Sequence, residues 1–435
     1  MDPELKFDQE SSEVDSRPES MPSSQAETGA DVTPGPDESS LWRLDEDDRY
    51  ARLRLIGWWD QNRLATARIL VVGAGALGNE VLKNLALLGI GQIHIVDFDQ
   101  VQPSNLSRSV LFRSADAGRG KADVAATAVR DLNPDCRVRA FEGDVLTDIG
   151  IGWVREADVV VGCVDNREAR LWINRMCWKV GTPWVDGGIQ EINGVAKVFV
   201  PGQGPCYECG MTDKDYQLIQ LRYSCPLLKQ EDILQGRVPT SPTIASIIGG
   251  LQVQEVLKLL HELPVEAGSA HVFNGAANRF YTTRFPDRED CLSHESYDEV
   301  LESPLAARTA TVSALADWLA PQLDSGEAIV SVELDRDFLI ALECRRCERR
   351  TEINRPRSAV AMNQAICETC GEVMLTESIH ELGPETDGDR VLATCGVPDY
   401  DIVKVHTDQR TYWVQLQKEA DRVDPIGRDN NDSER

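Results

Sequence analysis

Residues 68–89 read RILVVGAGALGNEVLKNLALLG, which joins a short apolar run, a glycine-rich turn and an amphipathic segment. The run RILVVG is typical of a β-strand that is buried on both faces of a parallel sheet. Residues 79–88 carry apolar side chains at helical spacing, and Gly89 marks a helix end. A strand, a glycine turn and a helix in this order predict an α/β fold that binds a nucleotide.

Strands and helices continue to alternate after this stretch. The next predicted strands are residues 92–97 (QIHIVD), 157–166 (ADVVVGCVDN) and 182–188 (TPWVDGG). Residues 205–240 lack periodicity and indicate an irregular crossing segment, and a buried helix capped by Ser241 follows over residues 242–260. Residues 270–285 are predicted as antiparallel strands. The sheet should therefore be mixed and mainly parallel.

Charge and composition divide the 435 residues into four parts. The chain has 45 Lys and Arg against 72 Asp and Glu, for a net charge of −27. Nucleic acids and anionic membranes favour basic proteins, so we expect neither as a partner. The predicted parts are a disordered acidic tail over residues 1–47, a nucleotide-binding domain over 48–300, a C-terminal module over 305–418 and a disordered tail over 419–435.

The sequence also predicts where the protein works. No stretch approaches 18 apolar residues, and the nearest, residues 239–254, is too short and too polar to span a bilayer. The acidic N-terminus is unlike a secretory signal. Twelve cysteines, several in C-x2-C pairs, favour a reducing compartment and metal sites over a disulfide framework. We therefore expect a cytoplasmic protein.

The glycine turn Gly73-Ala-Gly75-Ala-Leu-Gly78 lets backbone N–H groups approach a phosphate at the positive end of a helix. Asp97 ends the next strand 19 residues after Gly78, where an acid can bond a ribose hydroxyl. By itself this pattern indicates a nucleotide site, most often in a dehydrogenase. The alternative is that the glycines only permit tight packing.

Polar residues that follow the strands argue against a dehydrogenase. They are Asp97, Asp99, Asn105, Arg108, Lys121, Asp165 and Asn166. A triphosphate needs more cationic contacts than a dinucleotide, and Arg108 and Lys121 could supply them. Asp165 ends a predicted strand and is placed to hold Mg²⁺. Any one of these residues could be a solvated surface charge, but the set points to one site.

A second set of residues has metal-ligand spacing. Cys344-x2-Cys347-x19-Cys367-x2-Cys370 is typical of a structural zinc ribbon. Around it, residues 344–357 carry a net charge of +4. These arginines could bind nucleic acid, an acidic partner protein or the acidic surface of this chain, or they could simply be solvated. Residues 399–416 are predicted as a terminal hairpin.

The motifs GAGALG, DFDxVxxSNLSR, GxxK, CVDN, CYEC and PTIASIIGGLQVQEVLKLL occur in this order over residues 48–290. In them the sequence resembles the ThiF/MoeB superfamily of ubiquitin-like-protein activators, which includes the eukaryotic ubiquitin-activating enzymes. The resemblance implies an α/β fold: a Rossmann-like ThiF/MoeB adenylation domain with a mixed, mainly parallel sheet, plus a small C-terminal α+β zinc-ribbon module.

The resemblance also implies roles for individual residues. Gly75 and Asp97 would hold ATP, Arg108 and Lys121 would contact its phosphates, and Asp165 would serve Mg²⁺ and catalysis. Arg52 would reach the γ-phosphate in a partner subunit, which suggests a homodimer with exchanged arms.

The implied reaction is adenylation, in which the C-terminal carboxylate of a carrier protein attacks the α-phosphate of MgATP. Cys225 could then take the acyl group as a thioester and pass it to a conjugating enzyme. Alternatively, Cys225 is an incidental thiol.

A further zinc site is implied in the same family region. Cys206 and Cys209 match the first ligand pair of the family, and Cys291 and His294 occupy the place of the second. The alternative leaves His294 as an exposed loop residue. The cofactors expected are thus ATP, Mg²⁺ and two structural Zn²⁺ ions. The remaining cysteines interpreted as buried small hydrophobic residues are Cys136, Cys163, Cys177 and Cys395.

Three functions remain open. The leading hypothesis is activation of a ubiquitin-like protein for a conjugating enzyme, by analogy in a bacterial antiphage conjugation system. The alternatives are adenylation of a sulfur-carrier protein for cofactor biosynthesis and a non-catalytic scaffold that binds a nucleotide.

Overall fold

The computed structural model describes residues 47–224 and 239–418. The chain divides into one unit over Met1–Arg52 and a second over Leu53–Arg435. In the first unit, Asp48 forms a turn in which its side chain accepts a hydrogen bond from the N–H of Tyr50 and its carbonyl accepts one from Ala51. The predictions for the two tails, and for the four domain boundaries, stay predictions.

The second unit contains eight described helices and fourteen described strands. The helices are α1 Gln61–Thr66, α2 Ala76–Leu88, α3 Lys121–Leu132, α4 Ile151–Glu156, α5 Arg167–Val180, α6 Asp213–Ser224, α7 Pro242–Leu260 and α8 Val312–Leu319. The strands are β1 Arg68–Val72, β2 Gln92–Val96, β3 Arg137–Phe141, β4 Val159–Gly162, β5 Trp184–Gln190, β6 Asn193–Phe199, β7 Ser269–Asn274, β8 Arg279–Arg284, β9 Val300–Glu302, β10 Ile329–Cys344, β11 Arg349–Pro356, β12 Leu375–Leu382, β13 Ile402–Thr407 and β14 Thr411–Gln415.

The first sheet has the order β3-β2-β1-β4-β5-β6-β7-β8. Strands β3 to β5 pair in parallel and β5 to β8 pair antiparallel, which confirms the predicted mixed α/β sheet. Helices α2, α3 and α7 contribute to one core against this sheet, and α4 and α5 contribute to the other. Val72 is in register with Val96 and with Gly162, so β1, β2 and β4 end level with one another.

Two elements refine the sequence-based description. Residues 213–224 of the supposedly irregular segment form α6, where Asp215 accepts hydrogen bonds from the backbone N–H and the hydroxyl of Thr212. Helix α7 begins after Ser241, as predicted. With 19 residues it is also long and apolar enough to cross a membrane by length and composition alone, whereas residues 239–254 were predicted to be too short and too polar to do so. Here it packs against α2, β5 and β6, with Gln252 fully buried.

The second sheet has the order β11-β10-β13-β14-β9, and β12 also pairs with β10. Strands β13 and β14 form the predicted terminal hairpin. Apolar residues of α8, β10, β13 and β14 fill a separate core that includes Leu315, Phe338 and Val405. This part of the chain is the C-terminal α+β module.

Candidate nucleotide site and metal centres

The glycine turn after β1 leaves no room for side chains at two positions. A Cβ on Gly73 would lie 2.5 Å from the carbonyl oxygen of Cys163, and one on Gly78 would lie 2.0 Å from that of Gly73. Gly73 also has φ +97°, a conformation that favours glycine. A Cβ on Gly75 would meet no atom within 4 Å. The turn is therefore tightly packed at Gly73 and Gly78 but open at Gly75, beside the N-terminus of α2.

Asp97 follows β2 and holds the glycine turn from the side. Its carboxylate accepts hydrogen bonds from the N–H of Ala74 at 2.7 Å and of Asp99 at 2.8 Å. Burial raises the pKa of Asp97, although nearby Lys121 and these hydrogen bonds oppose the shift. Each carboxylate oxygen keeps a further lone pair, so Asp97 can still accept a hydrogen bond from a ribose hydroxyl.

Lys121 begins α3 at the same edge of the sheet. Its ammonium group lies 2.7 Å from the carboxylate of Asp99, and its side chain is 11% exposed. The backbone strengthens this contact, since the N–H of Lys121 donates to the carbonyl of Asp99 at 2.8 Å. Asp99 therefore orients the cation that a phosphate would meet.

Asn105 and Arg108 lie on the turn that follows this edge. Asn105 accepts a hydrogen bond from the N–H of Gln102, and the half-buried Arg108 donates to the carbonyl of Ser104 at 2.8 Å. Sequence reasoning missed Asn79, which is fully buried and connects the turn to α2. Its amide donates to the carbonyls of Ala74 and Gly75, and its oxygen accepts from Leu111 N–H. A polar residue inside an apolar helical stripe was the available signal.

Asp165 and Asn166 follow β4. Asn166 caps α5 by accepting a hydrogen bond from Ala169 N–H at 2.8 Å, which gives it a structural task besides its predicted role at the nucleotide. Asp165 is exposed at the mouth of the site. An exposed carboxylate at a strand end is a ligand that Mg²⁺ accepts, so the side chain fits its predicted role.

A buried charge cluster, which sequence reasoning also missed, holds the chain next to Asp165. Arg170 donates to the carbonyls of Val164 and Gly187 and pairs with Asp186 at 2.9 Å. Lys197 pairs with the other oxygen of Asp186 at 2.6 Å. Burial lowers the pKa of Lys197, although the negative charge of Asp186 opposes this shift.

The strand ends thus bring most of the predicted nucleotide residues to one edge. Those placed there are Gly73, Gly75, Gly78, Asp97, Asp99, Lys121, Asp165 and Asn166, with Asn105 and Arg108 on the next turn. Arg52 belongs to the other unit of the chain and is described only there. Cys225 lies outside the described residues. Roles in catalysis for Arg52, Arg108, Asp165 and Cys225 remain predictions.

The inner cluster consists of Cys206, Cys209, Cys291 and His294. The sulfur of Cys206 lies 3.6 Å from that of Cys209 and 3.5 Å from that of Cys291, and Cys209 Sγ lies 3.4 Å from His294 Nε2. Tetrahedral zinc with bonds of about 2.3 Å to sulfur would place two sulfurs about 3.8 Å apart. The four donors, His294 among them, therefore fit a structural zinc ion.

Two residues between the ligands brace the inner cluster. Glu208 is 1% exposed and receives two hydrogen bonds from Arg175 of α5, at 2.6 and 3.2 Å, and one from Tyr216 of α6 at 2.7 Å. Ser293 also donates to Glu208. Burial raises the pKa of Glu208, but these hydrogen bonds outweigh it and the net pKa is lowered. The cluster is thereby joined to both helices.

The ribbon cluster consists of Cys344, Cys347, Cys367 and Cys370, whose sulfurs lie within 4.8 Å of one another. Its four-cysteine chemistry also fits structural zinc. Four of the surrounding arginines contact carboxylates of the module: Arg346 with Glu372, Arg349 with Glu368, Arg350 with Glu352 and Glu377, and Arg357 with Asp337. These contacts favour the interpretation that the basic segment meets the acidic surface of its own chain. Of the other cysteines, Cys136, Cys177 and Cys395 are buried and Cys163 is half-buried.

Comparison with known proteins places the nucleotide domain in a family. The model of the ThiF family matches residues 48–293. The SAMP-activating enzyme E1 of Haloferax volcanii is 34% identical over 254 residues, which are 56% of this chain and 87% of that protein. Adenylyltransferase and sulfurtransferase MOCS3 of Sus scrofa is 33% identical over 60% of this chain and 55% of its own length. The solved structure of E. coli MccB with ATP covers 58% of this chain and 75% of that chain, with 23% identity and a TM-score of 0.48.

Proposed function

The chain belongs to the ThiF family, and we propose that it adenylates the C-terminal carboxylate of a small ubiquitin-like or sulfur-carrier protein. The observation that carries this proposal is the edge of the first sheet, where an open glycine turn, Asp97, Lys121 and an exposed Asp165 follow neighbouring strands. A scaffold that only binds a nucleotide would not need the exposed acid beside the phosphate-binding turn.

Each group at this edge has a task in the reaction. The N–H groups of the glycine turn bind the phosphates, and Asp97 accepts a hydrogen bond from a ribose hydroxyl. The carrier carboxylate, already ionised near neutral pH, attacks the α-phosphorus, and the bond to the bridging oxygen breaks as pyrophosphate leaves. Arg108 and Lys121 stabilise the negative charge that develops. Mg²⁺, when held by Asp165, supplies further neutralisation.

Carrier-dependent exchange of pyrophosphate into ATP tests this function. We expect exchange only when a small protein with a C-terminal glycine is present. Asp165→Ala should lower the rate by at least about 100-fold without changing the unfolding temperature. The exposed Asp123, also at the start of α3 near Lys121, supplies a matched control, and Asp123→Ala should leave exchange unchanged. Exchange at the wild-type rate in Asp165→Ala would contradict the site.

The finer proposal is activation of a ubiquitin-like protein with transfer through Cys225 to a conjugating enzyme. Similarity over most of the length of a SAMP-activating E1 supports it. The sulfur-carrier alternative is supported by similarity to about half of an adenylyltransferase and sulfurtransferase. An adduct that survives denaturation, is cleaved by thiols and disappears in Cys225→Ser would favour conjugation. Formation of a carrier thiocarboxylate would favour sulfur transfer.

We also propose a homodimer in which Arg52 serves the site of the partner subunit. Mixing inactive Arg52→Ala with inactive Asp165→Ala should restore about a quarter of the wild-type exchange rate, because half of the dimers are mixed and each has one intact site. Mixtures that stay inactive would contradict the exchanged arm. A cytoplasmic location and a role in antiphage conjugation belong to the same proposal and are tested by fractionation and by phage challenge of cells that lack the gene.

A further inference from the structure

The C-terminal module touches the first domain at the loop that follows β3, residues 142–150. Arg336 of β10 is 12% exposed and reaches into this loop. Its Nε donates to the carbonyl of Leu146 at 2.7 Å, and its Nη2 donates to that of Ile149 at 3.3 Å. One guanidinium from the module therefore fixes two carbonyls of the loop at once.

The guanidinium is itself held in place. Its Nη1 lies 3.2 Å from Asp401, and its carbon lies 5.0 Å from the ring centre of Trp172 on α5. The other oxygen of Asp401 accepts a hydrogen bond from Ile151 N–H at 2.8 Å, at the start of α4. Because the cation is enclosed by an aromatic ring, a carboxylate and two carbonyls, its orientation is fixed.

The loop that Arg336 holds is a wall of the nucleotide site. The N–H of Asp97 donates to the carbonyl of Phe141, so the loop begins beside the ribose-binding acid. Glu142 packs against Gly120, where a Cβ would lie 1.5 Å from its carboxylate, and Gly120 precedes Lys121. Val145 lies in the same core as Val72 and Val96, the last residues of β1 and β2.

The order of the strands says which end of the nucleotide meets this loop. Phosphates belong at the glycine turn after β1, and the ribose belongs at Asp97 after β2. Strand β3 is the next neighbour of β2, so the adenine end of ATP extends toward residues 142–150.

We infer that the C-terminal module completes the nucleotide site: Arg336 is a positioning residue that holds the loop of residues 142–150 in the shape that receives the adenine end of ATP. The inference rests on the proposed use of ATP. It assigns to the module a task in nucleotide recognition in addition to any binding of partners.

The test measures equilibrium binding to the full chain of two probes, a fluorescent ATP analogue and inorganic tripolyphosphate. Arg336→Ala should weaken binding of the ATP analogue about tenfold and leave tripolyphosphate binding unchanged, because tripolyphosphate occupies only the glycine turn and its cations. The KM for ATP in exchange should rise by the same factor, while the KM for the carrier stays the same. Arg336→Lys keeps the charge beside Asp401 but cannot bridge both carbonyls, so we expect a smaller loss.

Arg390→Ala is the matched control. Arg390 pairs with Asp387 at 2.8 Å and lies 5.1 Å from the ring centre of Phe338, so it has the same kinds of partner inside the module. Its removal should leave binding of both probes unchanged.

Three outcomes overturn the inference. One is a lowered unfolding temperature in Arg336→Lys with unaltered binding of the ATP analogue, which would show a structural role alone. The others are equal weakening of both probes and an equal effect of Arg390→Ala. Failure of carrier-dependent exchange would overturn the proposed function instead, since the binding measurements need no carrier.

Discussion

The inner cluster and the ribbon cluster offer similar ligands in different surroundings. Cys206, Cys209 and Cys291 belong to a large hydrophobic core that also contains Trp178 of α5 and Tyr297. The ribbon cluster belongs to a small hydrophobic group that also contains Leu339, Leu342 and Met374. The inner cluster is braced by the buried Glu208, whereas the pairs Arg346–Glu372 and Arg349–Glu368 beside the ribbon cluster are exposed.

The difference indicates which of the two clusters depends more on its metal ion for folding. Structural zinc contributes about 10–16 kcal/mol in isolated zinc-finger peptides, which are unfolded without the metal. At the ribbon cluster the ion would be the main source of order. At the inner cluster the ion would add to a core that is largely complete. Its loss would disturb α5 and, through α5, the nucleotide site.

The largest effect is expected from removing the ribbon metal. Cys367→Ser should lose one bound zinc per chain, and residues 344–374 should exchange their amide hydrogens at the rate of an unfolded segment. Exchange of pyrophosphate should stay within about twofold, because Val332, Leu334 and Phe338 of β10 pack in a core separate from the ribbon cluster. Hydrogen exchange with mass spectrometry measures the loss of amide protection in residues 344–374. Preserved protection in the zinc-free variant would contradict the comparison.

A smaller but global effect is expected at the inner cluster. Cys209→Ser should lower the stability of the domain by about 3 kcal/mol, which corresponds to roughly 6–12 °C in the unfolding midpoint. Adenylation should fall as well, because the residue that caps α5, Asn166, is next to Asp165 in the chain. Calorimetry and the exchange assay check both. An unchanged midpoint would mean that the core does not depend on the metal.

The brace at the inner cluster should be worth less than its metal. Glu208→Gln removes the buried negative charge that Arg175 faces and leaves the half-buried guanidinium of Arg175 poorly paired, at a cost of about 2 kcal/mol in urea unfolding. Zinc content should stay normal. Arg175→Lys provides the control, since it keeps the charge and loses the second hydrogen bond. Zinc loss in Glu208→Gln would show that the brace and the metal act as one.

The smallest effect is expected at an exposed ion pair of the ribbon cluster. Glu368, the partner of Arg349, is 82% exposed. Arg349→Ala should therefore shift the unfolding midpoint by no more than about 1 °C and leave the zinc in place. A shift as large as that of Glu208→Gln would remove the distinction between the two surroundings.

The sequence predicted the parts of the molecule whose signals are local. The glycine turn, the acid after β2 and the ribbon ligands depend on short spacings that the fold preserves, and the inner ligand set was implied by the family resemblance. The mixed sheet was predictable for the same reason, since its buried strands are continuous apolar runs. Residues 213–224 were missed because α6 has little amphipathic periodicity. The available sequence signal for this helix was the pair Thr212 and Asp215 at its start, which are hydrogen-bonded to each other.

The rest depends on contacts between distant parts of the chain. Glu208 looks like an ordinary acid until Arg175 and Tyr216 surround it. Arg336 acts on residues nearly 190 positions away, and nothing in its own neighbourhood indicates that. Spacing can identify a ligand set, but it cannot say which side chain from another element will hold it in place.

The docking of the module also leaves a signature that can be read in other sequences. A Cβ on Gly150 would lie 2.4 Å from the carbonyl oxygen of Asp399, and one on Gly152 would lie 2.4 Å from that of Tyr400. A relative with side chains at both positions could not carry a C-terminal module in this pose. Two glycines one residue apart, at the start of the helix after β3, can therefore sort relatives by architecture before any of their structures is known.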